Sequence, residues 1–147
     1  MLDAESISNG LNNMVPPLGK ANFAVLEAEP GKVRCTMPLE GNNNHLGSVY
    51  AGMLFSFAEA AAGALLLATV DVSSIKIMVR GGRIEFHRLA LTDVFADVIF
   101  DSDRLARVMG EVANEGKAFF EFPVEIKDAN GDKVATAIFD YRFRAIS

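Results

Sequence analysis

An apolar stretch at residues 51–68 is the feature that most constrains how this chain can fold. It reads AGMLFSFAEAAAGALLLA, and it is apolar on nearly every side when it is placed on a helix. Such a helix must be covered all round, either by a sheet that curls about it or by a sheet together with a second subunit. The stretch falls short of the ~20 residues that a membrane span needs, and Glu59 lies near its middle. We therefore predict a core helix and no membrane span.

Residues of alternating polarity predict strands on both sides of this helix. Two strands are expected before it and about four after it, at 21–29, 32–38, 75–89, 94–100, 120–126 and 135–143. A turn at 128–132 makes a hairpin of the last two strands, and Gly81 and Gly82 predict a bulge or kink inside the third strand. Hairpins and short connections favour antiparallel pairing. We therefore predict an α+β fold in which a curved, mainly antiparallel sheet wraps around one long central helix.

Two further helices are expected in addition to the central helix. One spans 3–14 and is stopped by a proline pair, and the other spans 102–115 and is capped by Ser102 and Asp103. No internal repeat or linker interrupts the chain. Its length is that of one domain, so we predict a single domain over 1–147.

Charge, cysteine and histidine content exclude several classes of protein. The formal net charge is −5 and no run of Lys or Arg is present, so no nucleic-acid partner is expected. Cys35 is the only cysteine, which excludes an internal disulfide. His45 and His87 are the only histidines, which are too few for a His-rich metal site, and no cofactor is expected. The acidic first residues lack the pattern of a signal peptide, so we expect a cytoplasmic location.

Glu59 is the chemically informative residue of the apolar helix. A carboxylate among apolar side chains costs several kcal/mol unless it is paired, protonated or turned toward a polar cavity. Helical spacing places it on one side of the helix with Gly52, Phe55, Ser56 and Gly63, the smaller and more polar residues of the stretch. This pattern favours a functional acid, and the alternative is a structural acid held by a backbone or Arg partner.

The start of the helix supplies a second chemical element. The amides of Ala51 and Gly52 have no acceptor within the helix, and they lie at the positive end of its dipole, where an oxyanion could be held. Gly52 and Glu59 are seven residues apart, which is about 10 Å along a helix axis. One reacting carbonyl group cannot reach both on the same helix. We therefore predict a symmetric homodimer, with tetramers as a further possibility, in which the amide of one subunit faces the carboxylate of the other.

The segment from Asn44 to Gly52, NHLGSVYAG, followed by Glu59, resembles the hotdog-fold acyl-CoA thioesterases of phenylacetate degradation and of the 4-hydroxybenzoyl-CoA type. It is also similar to a branch of thioesterases that is fused to some bacterial acetyltransferases. The resemblance implies a hotdog fold and three roles. Glu59 would be the nucleophile or the base that activates water, the amide of Ala51 or Gly52 would polarise the thioester carbonyl, and Asn44 would orient the water or the carboxylate.

Three positions depart from the pattern of that family. Tyr50 stands where the family usually has His, and Ala51 replaces the first Gly of a Gly pair. Gly63 occupies a position where relatives often have a Thr or Ser that helps to position water. The predicted fold and the location of the site are unaffected by these departures, but efficient hydrolysis does not follow from a site that has them.

The substrate is expected to be an acyl-CoA or another acyl thioester. The residues predicted to contact it are His45, Gly47, Phe55, Ser56, Gly63, Arg80, Arg83 and Arg88, the three arginines as candidates for the phosphates of coenzyme A. Two alternatives stand beside hydrolysis. One is a non-catalytic acyl-binding or regulatory protein, and the other is an acyl-thioester hydratase or dehydratase that uses His45 and Glu59.

Overall fold

The computed structural model describes residues 2–147, which form four helices and six strands. In chain order these are α1 (Ala4–Met14), α2 (Pro16–Lys20), β1 (Ala24–Glu29), β2 (Lys32–Met37), α3 (Ala51–Thr69), β3 (Ile75–Phe86), β4 (Val94–Ile99), α4 (Ser102–Glu115), β5 (Lys117–Asp128) and β6 (Lys133–Ala145). The strands form one sheet in the order β1-β2-β4-β5-β6-β3, and each neighbouring pair is antiparallel. The predicted α+β architecture, an antiparallel sheet around one central helix, is confirmed.

Glycines shape the turns and the edge of this sheet. Gly31 and Gly131 lie in the two tight hairpin turns with φ of 85° and 84°, a region that favours glycine over other residues. The bulge predicted at the glycine pair of β3 is present, because the register with β6 shifts between Val79 and Gly81. This shift leaves Arg80 as the extra residue of the bulge.

The sheet covers α3 except along one side. The residues predicted to share one side of the helix, Gly52, Phe55, Ser56, Glu59 and Gly63, are all half-buried or exposed. The buried residues of the helix are Leu54, Phe57, Ala58, Ala60, Ala61, Ala62, Ala64, Leu65, Leu66 and Ala68. A single chain therefore leaves an uncovered stripe along α3, called the open stripe below and defined as Gly52, Phe55, Ser56, Glu59 and Gly63.

The same helix meets the length and composition of a membrane span. Its mean hydropathy is 1.7, and 56% of its most apolar 18-residue window is buried inside the chain. Because α3 packs against the sheet that it organises, this burial is that of a core helix, as predicted.

The helix ends differ in two places from the sequence prediction. α1 ends before Pro16 as expected, but the chain then forms a second short helix, α2, because proline is well accommodated at the first positions of a helix. The N-cap of α4 is Asp101, whose carboxylate accepts a hydrogen bond from the Arg104 N–H at 3.1 Å. The prediction that Ser102 and Asp103 cap α4 was wrong by one residue, since both lie inside the first turn.

Candidate active site

The loop before α3 is held in place by the buried side chain of Asn42. Its amide donates to the carbonyl oxygens of Ala21 at 2.9 Å and of Pro38 at 2.8 Å. The Tyr50 N–H in turn donates to the Asn42 carbonyl oxygen at 2.8 Å. These bonds fix the point at which the chain enters α3. Sequence reasoning missed Asn42, because its partners come from segments that only the fold brings together.

The first amides of α3 are free to meet a ligand. Tyr50 is the N-cap, and its side chain makes no capping hydrogen bond. Within residues 2–147, no hydrogen bond uses the N–H of Ala51 or of Gly52. The Tyr50 ring lies over Gly52, where an added Cβ would sit 2.8 Å from a ring carbon, so only glycine fits beneath the ring without displacing it. The positive end of the helix dipole is therefore open at this point.

Glu59 lies in the wall of an apolar cavity of about 660 Å³, called the Glu59 cavity below. The other residues of its wall are Leu11, Met14, Gly63, Leu66, Leu67, Val72, Ile75, Lys76, Ile77, Val79, Tyr141 and Ile146. Burial raises the pKa of the Glu59 carboxyl above its ordinary value of 4.5. A carboxyl group of this kind is a stronger base than an exposed glutamate.

Tyr141 is a second polar group of this cavity, and sequence reasoning did not single it out. The residue is 2% exposed, and within the described chain its hydroxyl has no hydrogen-bond partner. Burial, together with the negative charge of Glu59, raises the pKa of the Tyr141 hydroxyl. The alternation of β6 predicts an inward-facing residue at this position. A hydroxyl without a partner beside a carboxylate becomes visible only in three dimensions.

Asn44 organises the loop that leads to the helix. Its side-chain oxygen accepts from the N–H groups of Leu46 at 2.9 Å and Ser48 at 3.1 Å, and its amide nitrogen lies 3.0 Å from the Ser48 hydroxyl. Asn44 and Ala51 both line a cavity of about 320 Å³ at the start of α3, called the helix-entry cavity below. Asn44 thus lies beside the helix N-terminus, and Glu59 lines a different cavity of the same chain.

The histidines take unequal places around the helix-entry cavity. His45 and Gly47 lie on the exposed part of the loop, where Gly47 has a φ of 74°. His87 lines the cavity together with Ala51, and its Nε2 lies 2.9 Å from the Thr136 hydroxyl. His87 was considered only as a metal ligand from the sequence, because nothing in the chain order relates the end of β3 to the start of α3.

Two residues of the open stripe are held by contacts inside the chain. The Phe55 ring packs edge-on against Phe139, with ring centroids 5.4 Å apart. Gly82 makes this packing possible, because an added Cβ there would lie 2.9 Å from Phe139 and 3.1 Å from Phe55. The Ser56 hydroxyl donates to the Gly52 carbonyl oxygen at 2.9 Å. Phe55 therefore has a packing role in addition to its predicted place at the substrate.

The three predicted arginines do not converge on one point. The guanidinium of Arg83 lies 3.5 Å from the carboxylate of Glu121, and that of Arg88 lies 3.3 Å from Asp132. Arg88 lines the helix-entry cavity. Arg80 lines a separate surface cavity on the far side of the sheet from α3. Exposed ion pairs of this kind contribute little to stability, but they do reduce the charge that Arg83 and Arg88 offer to an anion.

A single chain thus divides the predicted site between two places. Glu59 and Gly63 share the Glu59 cavity, whereas Asn44, Ala51 and Arg88 share the helix-entry cavity. The separation follows from the geometry of α3, since the seven residues from Gly52 to Glu59 correspond to about 10 Å along the helix axis. The geometry of one chain agrees with the sequence argument that both elements cannot act on one carbonyl group from the same helix.

Comparisons with known proteins point to one family. The family model described as a domain of unknown function, DUF4442, matches residues 3–142. A Pseudomonas aeruginosa protein of unknown function, PA5026, named a probable thioesterase, is 30% identical in sequence. Its structure superposes with a TM-score of 0.93, covering 99% of this chain and 97% of that one. No curated protein matches the chain.

More distant structures share the fold. Thioesterase HI1161 from Haemophilus influenzae is 9% identical, with a TM-score of 0.77 over 99% of this chain and 92% of its own. Thioesterase PA1618 from Pseudomonas aeruginosa, in a mutant form, is 12% identical, with a TM-score of 0.76 over 99% of this chain and 96% of its own. The predicted hotdog fold is confirmed.

Proposed function

The chain belongs to the DUF4442 family, and we propose that it hydrolyses acyl thioesters, acyl-CoA above all. One observation carries the proposal. The central helix has a single open stripe, and on it Glu59 lies half-buried in the wall of an apolar cavity with a raised pKa. The names of PA5026 and HI1161 support the same class of reaction.

The chemistry assigns one role to Glu59 in the middle of α3 and another to the amides at its N-terminus. Glu59 attacks the thioester carbonyl carbon directly, or it takes a proton from a water molecule whose oxygen attacks that carbon. The carbonyl oxygen becomes an oxyanion, and the free amide of Ala51 or Gly52 stabilises it. The carbon–sulfur bond then breaks and the thiolate leaves, and the acid product forms at once or, after direct attack, when water hydrolyses the acyl-Glu59 anhydride. Asn44 holds the loop that presents the amide.

The two halves meet when two chains pair across a two-fold axis. β3 is an edge strand of twelve residues, and Val79 and Phe86 on it are exposed. A long edge with exposed apolar side chains is suited to pairing with a second copy of itself. The open stripe of α3 would then face the same stripe of the partner, so that the helix-entry cavity of one subunit completes the Glu59 cavity of the other.

We therefore expect the purified protein to be a dimer in solution. Light scattering at micromolar concentration should give a mass twice that of the 15.9 kDa chain. A mass of one chain would contradict the shared site, because Glu59 and the helix amides would then have no common substrate position.

The shape of the Glu59 cavity predicts an aliphatic acyl group. Aliphatic side chains dominate its wall, and Gly63 lies on the wall beside Glu59. Within one chain, an added Cβ at Gly63 meets no atom within 4 Å, so a larger side chain would fill part of the cavity. Because Gly63 lies on the open stripe, light scattering must show that a variant at this position is still a dimer. We expect Gly63→Leu to raise the KM of long-chain acyl-CoA about tenfold or more, as a lost apolar site would, and to leave short-chain KM nearly unchanged.

Gly110→Leu is the matched control for this change. Gly110 is also a helical glycine with open space at its Cβ, and it lies on α4, away from both cavities. An equal change of KM at all chain lengths in Gly63→Leu would place the acyl chain elsewhere.

A hydrolysis assay tests the proposed function. The chain is offered acyl-CoA thioesters from short to long and aromatic, and the released thiol is measured. We expect turnover, with a preference for aliphatic acyl groups. Binding of acyl-CoA without release of thiol would instead identify a non-catalytic acyl-binding protein. Hydration of an unsaturated acyl-CoA without release of thiol would support the hydratase alternative.

A further inference from the structure

Three cations stand side by side across the outer face of the sheet. Arg144 on β6 lies opposite Lys76 on β3 and opposite Lys117 on β5. Like charges in directly opposite positions destabilise a sheet. In the described residues, none of the three forms an ion pair with an acidic side chain. Such a row opposes folding stability, and a bound anion would offset its repulsion.

The next row of the same face adds two guanidinium groups. Arg142 on β6 lies opposite Phe119 on β5, and its guanidinium carbon is 5.1 Å from the centre of that ring. The guanidinium of Arg80, from the β3 bulge, lies 5.5 Å from the same ring. The Nε of Arg142 is buried and has no hydrogen-bond partner within residues 2–147. Phe119 thus holds two arginines close together beside the cationic row.

Two surface cavities lie at these residues. One, of about 490 Å³, is lined by Arg80, Phe119, Phe120, Glu121, Asp140 and Tyr141. The other, of about 500 Å³, is lined by Glu115, Gly116, Lys117, Arg142, Arg144, Ala145 and Ser147. Of the acidic side chains, Glu121 is bound to Arg83, which leaves Asp140 and Glu115 against the four cations that line the two cavities. The chain as a whole has a net charge of −5, so this concentration of positive charge is local.

We propose that this surface, formed by Lys76, Arg80, Lys117, Arg142 and Arg144 and called the cationic patch, binds the phosphate groups of a nucleotide, the 3′-phospho-ADP end of a coenzyme A thioester. The assignment rests on the proposed function and names its carrier. Arginine and lysine side chains are the usual partners of phosphate oxygens. The two cavities are large enough to hold a nucleotide. An acidic protein, the other possible partner of a cationic surface, could bind to a flat surface without cavities.

The cationic patch is continuous with the reaction centre. Lys76 lines the Glu59 cavity as well as belonging to the cationic row. Ile146 lines the Glu59 cavity, and its neighbours Ala145 and Ser147 line the cavity at Lys117. A ligand that places its phosphates on the patch can therefore extend its other end toward Glu59 past the start of β3, where Lys76 belongs to both places. Of the predicted arginines, only Arg80 belongs to the patch, since Arg83 and Arg88 are engaged by acids.

The test compares one acyl group on two carriers. The double variant Lys117→Gln/Arg144→Gln is assayed with acyl-CoA and with the same acyl group on N-acetylcysteamine, which has no phosphate. We expect the KM of the acyl-CoA to rise about tenfold, because two charge-assisted phosphate contacts are lost. The advantage of acyl-CoA over the truncated thioester should shrink accordingly. The control is Lys32→Gln/Arg107→Gln, which changes the net charge equally at positions outside the patch.

Direct binding separates this proposal from the proposed function. Adenosine 3′,5′-bisphosphate should bind the parent and the control, and it should bind the patch variant about tenfold more weakly, as measured by calorimetry. This outcome supports the patch even if no thioester is hydrolysed. Equal binding to all three proteins would overturn the assignment. So would a patch variant that loses activity only toward an acyl carrier protein, which would make the patch a protein-docking surface.

Discussion

Replacing Glu59 by Gln is expected to lower the turnover of the best acyl thioester by about 100-fold or more. Gln keeps the shape of the side chain and can donate a hydrogen bond, but it can neither remove a proton from water nor attack a carbonyl carbon. Steady-state release of thiol measures the effect. Glu111→Gln on the exposed side of α4 is the matched control and should keep the parent rate.

The pH dependence of the same pair of proteins gives an independent reading. Activity requires an ionised Glu59, and burial raises its pKa. The rate should therefore fall on the acid side at a pH above the ordinary glutamate value of 4.5. A rate of Glu59→Gln within about threefold of the parent would assign the chemistry to another residue, whatever the shape of the pH profile.

The raised pKa also predicts the sign of the stability change. A carboxyl group whose pKa is higher in the folded than in the unfolded state favours folding in acid. That contribution is present below the unfolded pKa and is lost as the pH rises through the folded pKa. At neutral pH the ionised Glu59 therefore destabilises the fold, so Glu59→Gln should have a Tm at pH 7 equal to or above that of the parent. A catalytic Glu59 thus predicts lower activity without lower stability.

The sequence was sufficient for the architecture because its strongest signals are local. The stretch from Ala51 to Ala68, rich in Ala and Leu, strongly predicts a helix, and the structure extends this helix only by Thr69. The glycine pair of β3 marks a bulge because a strand interior rarely tolerates two residues without side chains. The open stripe follows from helical spacing alone. Each of these inferences needs only a few neighbouring residues.

The features that sequence reasoning missed depend on distant segments. Tyr141 meets the Glu59 cavity from the last strand, and Asn42 joins the loop to two earlier segments. The arginine candidates show the same limit. Arg83 and Arg88 form ion pairs with acidic residues from other parts of the chain. Arg142 and Arg144 belong to the cationic patch only because the register of β3, β6 and β5 brings its residues together. Pair register across a sheet is not visible in the order of residues.

Replacing residue 51 or 52 by proline tests the role of the amides at the start of α3, the part of the site that the other subunit is proposed to supply. Proline at position 51 or 52 removes one of the free amides. Proline is tolerated in the first turn of a helix, and the Tyr50 ψ of 137° is compatible with a proline at position 51. We expect Ala51→Pro and Gly52→Pro to fold and to dimerise, the latter with the Tyr50 ring displaced. The variant that removes the oxyanion donor should lose about 100- to 1,000-fold in rate. If both retain the parent rate, the amide role is wrong.

The most direct measurement of the shared site pairs two different chains in one dimer. One chain carries the inactive proline variant, and the other carries Glu59→Gln. The two chains are co-expressed with different tags, and the heterodimer is isolated by both tags. If the carboxylate of one subunit acts with the amide of the other, one of the two sites contains both defects and the other contains none. The heterodimer should then recover about half the activity of the parent dimer, although each variant alone is inactive. A heterodimer as inactive as its parts would show that both elements act within one chain, and it would contradict the account.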